Sequence, residues 1–194
     1  RKVLFDDGGG GTDDLALFSS FLMTHNAKIG MMCFALSVAL SIPTIYLLIY
    51  NGMGLGAFAA LYEQRALSVE FWSWILPHGI TELLAVILCG AAGFFVAEAI
   101  VFPGKYGRLE NLARRGRKAG VVVLGAVMLF VLAGLIEGFF RQLVQDVTIR
   151  YTVAAATLLW WVFYFGFAGR DESRRREDIQ RPRGPESTLS QGGE

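Results

Sequence analysis

Residues 79–102 read "GITELLAVILCGAAGFFVAEAIVF", an apolar run interrupted only by Thr81, Glu82 and Glu98. A soluble amphipathic helix alternates apolar and polar residues with its 3.6-residue period, and this run does not. Runs of about 20 apolar residues match the ~30 Å hydrocarbon thickness at ~1.5 Å rise per helical residue. The stretch predicts a membrane-spanning helix. Its surroundings decide what kind of membrane protein this is.

Two more runs of the same kind follow, at about 119–137 and 151–169, and a longer one precedes, at 29–62. Hydrophobic residues make up 54% of the 194-residue chain and charged ones 18%, most of the latter gathered at the two ends and in one basic stretch. The short alternating segments of a transmembrane barrel are absent. The fold class is therefore all-α, a polytopic transmembrane helical bundle with about four to five membrane segments. Residues 1–28 form an external flexible and amphipathic entry, 29–169 the transmembrane domain, and 170–194 a charged, proline-containing tail of disordered composition. Within the entry, "GGGGTDD" reads as linker, since no strand precedes it and no lysine follows as a phosphate loop requires. Residues 15–26 read as an amphipathic stretch lying in the membrane interface.

The run 29–62 is too long for one upright crossing. Pro43 and "YNGMGLG" at 50–56 interrupt it, and Asn51 beside Gly52 signals a cap or a turn. It is either a span over 29–49 with a half-helix returning from 52, or a single bent helix. Loop cations set the orientation. Lys and Arg number six in 104–118 and six in 170–194, against three in 1–28, one in 63–77 and two in 138–150. The positive-inside rule places 104–118 and the tail in the cytoplasm, and the connections 63–77 and 138–150 outside. An external entry segment then favours the returning hairpin, and it implies that an upstream helix precedes this chain.

Polar side chains inside the runs carry the functional question. His78 and Glu82 are spaced i, i+4 on one helix face, which continues through Val86, Cys89, Gly93 and Ala97. Small residues on such a stripe let another helix approach closely. Pro77 suits the first helical turn, where its missing N–H costs nothing. Glu137 shares a face with Ala126, Phe130 and Ala133, and Arg141 follows one turn later. His78, Glu82, Glu137 and Arg141 thus converge at the external ends of their helices. Burying such charges unpaired costs roughly 2.5–3.5 kcal/mol each on insertion scales, so mutual pairing is the first reading. A proton or ion route through Glu82 and Glu137 is the second. A metal site of His78, Glu82 and Glu137 is the third, although no H-E-x-x-H signature supports it. Glu98 lies on another face within reach of the basic stretch, where an interface salt bridge is expected. Cys33 and Cys89 lie in apolar segments as buried thiols. No serine elbow, phosphate loop or cofactor motif is present, and the basic stretch serves topology and anionic lipid headgroups rather than nucleic acid.

The motifs "MTHNAKIG", "YNGMGLGAF", "WSWILPHGITELLA", "CGAAGFF", "FPGKYGRL", "AGLIEGF" and "WWVFYFGFAGR" occur here in order. Together, over about residues 15–170, they resemble the bacterial stage II sporulation protein M family. The resemblance implies an integral protein of the bacterial cytoplasmic (inner) membrane with no catalytic activity or cofactor of its own. In spore formers the founding member is a scaffold that holds cell-wall hydrolases at the septum. It implies partners in the lipid bilayer and among membrane or extracytoplasmic proteins, cell-wall hydrolases included, with a homo-oligomer as a further option. Family members often carry a cytoplasmic N-terminal region and one more transmembrane helix. Their pattern includes Pro77, His78, Gly79, Glu82, Glu137 and Gly138, with Gly93 on the packing stripe. A transporter permease and a membrane-embedded metal-dependent hydrolase are the alternatives.

Overall fold

The structure is a computed structural model describing residues 24–104 and 107–180, with side chains except at 141–142 and 168–180. The linker and most of the amphipathic stretch 15–26 lie outside the described residues. Among those described, every regular element is helical. Residues 24–35 form α1, followed by a 3-10 turn at Leu36–Val38. Then come α2 (Ile42–Glu63), α3 (Ser68–Val101), α4 (Arg108–Leu143) and α5 (Val147–Gln180). Four helical stretches are long and apolar enough to cross a membrane: Ile42–Glu63, Ser68–Val101, Arg108–Phe140 and Val147–Phe167. The chain is a multi-pass helical membrane protein.

The run 29–62 does reverse, but not at the Asn-Gly pair. α2 continues unbroken through Asn51 and Gly52, where neither a cap nor a turn exists. The reversal lies at 36–41, where Leu40 and Ser41 adopt left-handed backbone angles, φ 56° and 58°. Pro43 enters at the start of α2, the one place in a helix where its absent N–H is harmless. Two side-chain hydrogen bonds close the turn: Ser37 Oγ donates to the Phe34 carbonyl at 2.7 Å, and Thr44 Oγ1 donates to that of Cys33 at 2.7 Å. These occupy carbonyls that the end of α1 leaves without helical partners. Neither strained residue is Gly or Asn, so the signal the sequence offers for this turn is Pro43 at the start of α2. The Asn-Gly pair meanwhile sits in a helix whose apolar length outweighs its local preference.

α3 is the axis of the bundle. α1 runs parallel to it, with Gly30 beside Cys89 and Cys33 and Ser37 beside Gly93. α2 runs antiparallel, with Leu48 against Gly90 and Tyr62 stacked on Phe71 at 4.7 Å. The approach of α1 to α3 depends on glycine: a Cβ at Gly93 would lie 2.9 Å from the Cys33 carbonyl oxygen and 3.0 Å from Ser37 Cβ. Where α3 meets α1 and α4, Ile29, Cys33, Ala85, Val86, Cys89, Ala126 and Phe130 form one core cluster. Ala92, Val96, Ala119 and Val123 form a second. Both cysteines are buried free thiols.

The helices outrun their apolar windows. α3 has 34 residues and α4 has 36, about 51 and 54 Å, so both project beyond the hydrocarbon. The connection expected over 63–77 shrinks to Gln64–Leu67. There the Leu67 N–H donates to Tyr62 O at 3.0 Å and the Ala66 N–H to Glu63 O at 2.9 Å, a Schellman-type stop with Ala66 left-handed. Pro77 consequently lies inside α3 rather than in its first turn, and the carbonyl of Ser73 loses its helical donor. The connection expected over 138–150 is only 144–146, and most of the basic stretch 104–118 is the first three turns of α4. α5 stays helical to Gln180, so residues 170–180 are ordered as helix where composition predicts disorder. Glu and Arg are good helix formers and continue a turn already nucleated.

Candidate functional site

Three helices deliver buried polar side chains to one end of the bundle. His78 (4% exposed) and Glu82 (3%) come from α3, Glu137 (3%) from α4, and Arg150 (4%) from the first turn of α5. The stripe below His78 and Glu82, Val86, Cys89, Gly93 and Ala97, is buried throughout, as is the Ala126, Phe130 and Ala133 stripe leading to Glu137. The apolar faces that pack α3 on α4 therefore carry the titratable groups inward with them.

His78 and Glu137 line a cleft with Ser73, Trp74, Pro77, Ile136, Phe140 and Arg150, and the cleft has room for about one water molecule. The Trp74 ring stands edge-on to His78 at 6.3 Å. Ser73 Oγ donates to the Glu70 carbonyl at 2.8 Å, one turn back along α3. Glu82 lies deeper. Asn26 of α1 is within hydrogen-bonding reach of its carboxylate, and Glu137 is close enough to act on it electrostatically. One of its oxygens, Oε1, has no hydrogen-bond partner. Arg141 belongs to α4, but its side chain lies outside the described residues.

Arg150 is the residue that sequence reasoning counted only as a loop cation. Asp146 caps α5, its Oδ1 accepting from the Ile149 N–H at 3.0 Å, which starts the helix just early enough to turn Arg150 inward. Its Nε donates to the Val144 carbonyl at 2.8 Å and a terminal nitrogen reaches Gln145 Oε1 at 3.4 Å. Tyr151 then ties α5 to α3, donating to the Val69 carbonyl at 3.0 Å. Asn26, Ser73 and Trp74 were likewise unassigned from sequence, because each reads alone as an entry-segment, serine or interface residue.

The glycines of the motifs divide. Gly93 is a true contact. A Cβ at Gly79 would meet only the side chain of Ile75 on its own helix, while Gly52 and Gly138 have no neighbour within 4 Å. At the other end, Glu98 pairs with Arg115 of α4 at 2.6 Å, and the same guanidinium lies 4.9 Å over the Phe95 ring.

Chemically, the arrangement places two carboxylates, an imidazole and a guanidinium in a nearly filled volume. Carboxylates and a guanidinium gathered at one end are the arrangement in which charge is tolerated inside a membrane. Among the described residues, no group of three or more His, Cys, Asp and Glu side chains is gathered to hold a metal ion. The family model described as Stage II sporulation protein M matches residues 6–141. No curated protein and no solved structure matches the chain.

Proposed function

Since the chain belongs to the stage II sporulation protein M family, we propose that it is a non-catalytic scaffold of the bacterial inner membrane, anchoring an envelope-remodelling complex. The observation that carries this reading is the narrowness of the cleft at the polar end: among the described residues it has room for about one water, too little for an organic substrate. A closely packed bundle end suits a protein whose task is to hold partners. The turns that this end presents, 64–67 and 144–146, are then the external docking elements. The basic start of α4 and the tail 170–194 face the cytoplasm, in keeping with their cations. Cell-wall hydrolases or other extracytoplasmic proteins are the partners this arrangement fits.

Affinity purification from mild detergent tests the reading. It should recover a specific envelope protein in near-stoichiometric amount, and Glu82→Gln should leave that recovery intact. Recovery of the chain alone, across detergents that preserve other membrane complexes, contradicts it.

One observation favours the permease reading: the buried, partnerless Oε1 of Glu82. A permease predicts ion or proton flux in proteoliposomes that Glu82→Gln abolishes. The scaffold predicts no flux above that of empty vesicles.

A further inference from the structure

We propose that the outward face of α4 binds an anionic phospholipid, with Arg114, Arg117 and Lys118 at its headgroup and Val121, Leu124 and Met128 along an acyl chain. Positions 114, 117, 121, 124 and 128 follow one another at three- and four-residue steps, so they share one helix face, with 118 beside them. All six residues are exposed, the three apolar ones at 72%, 65% and 64%. Along this face the order is cations, then an uninterrupted apolar lane, the order of head and tail in a phospholipid.

The helix that carries the cations is itself held in place. Asn111, on the inward face of the same turns, donates to the Pro103 carbonyl at 3.1 Å, and Arg115 is fixed by Glu98 and the Phe95 ring. Arg115 is thereby neutralised, and it consumes the one carboxylate that α3 offers there. Among the described residues neither Arg117 nor Lys118 has a carboxylate partner. The cations stand next to Ala119, where the charge-free part of α4 begins, which is headgroup depth. A second copy of the chain fits poorly, because this face would set cation against cation.

The test uses the purified full chain in neutral detergent, with retention of phosphatidylglycerol and phosphatidylcholine compared by native mass spectrometry. Phosphatidylglycerol should be preferred, and R117Q/K118Q should cut the preference by about fivefold per cation removed. The charge-preserving R117K/K118R and the control R65Q, in the 64–67 turn, should keep it. Equal retention of the two lipids by the unmodified protein overturns the proposal, as does full preference in R117Q/K118Q. Displacement of the lipid by an equal concentration of glycerophosphate also overturns it, since the ligand would then be a soluble phosphate.

Discussion

At the scale of single residues, the polar end and the glycine contact give opposite kinds of prediction. Arg150 is buried and holds the carbonyl that ends α4, so Arg150→Ala should destabilise the protein by roughly 1–3 kcal/mol. Thermal unfolding in detergent reads this as a lowered midpoint, and an unchanged midpoint shows that the guanidinium holds nothing. Gly93→Ala forces the Cβ onto the Cys33 carbonyl and should cost about 1–3 kcal/mol. Gly52→Ala meets nothing and lies in the interior of α2, so it should be neutral or stabilise by up to about 1 kcal/mol. The same melting series separates the two glycines. Residues of this kind were unequally legible beforehand. Glu137 and Glu82 stand out in apolar runs because charge there is expensive. Arg150 does not, because nothing in its neighbours reveals that Asp146 starts a helix and turns it inward.

At the scale of elements, the packed faces were readable and the boundaries were not. The stripes Val86, Cys89, Gly93, Ala97 and Ala126, Phe130, Ala133 follow from helical period alone, and both are buried. The reversal in 29–62 was legible as an event but misplaced, since Asn51 and Gly52 advertise a turn that α2 does not make. Leu40 and Ser41 make one that Pro43 alone, just beyond them, advertises. The left-handed cost of these two residues, of order 1–2 kcal/mol each, is met by tertiary contacts that no local pattern records. The pairing of Glu98 with Arg115 belongs to this scale because it joins α3 to α4. Glu98 is 53% exposed, so Glu98→Gln should cost at most about 1 kcal/mol, and more in low salt than in high. A double-mutant cycle with Arg115→Gln, run at two ionic strengths, measures it. A coupling independent of salt contradicts the assignment.

At the scale of the molecule, four crossings follow one another through short connections, and α1 enters alongside α3 to meet the turn at 36–41. That path places the start of α1, the turn 64–67 and the turn 144–146 at one end of the bundle, with the buried polar groups beneath them. The family tie gives the scaffold reading its context, and the filled cleft gives it a physical basis. Both depend on the polar residues sharing one membrane face. Single cysteines at positions 66, 145 and 104, in a chain carrying Cys33→Ala and Cys89→Ala, test this with a membrane-impermeant maleimide on intact cells. The account predicts labelling at 66 and 145 from outside, and at 104 only after the membrane is opened. Labelling that separates 66 from 145, or that reaches 104 in intact cells, would contradict it.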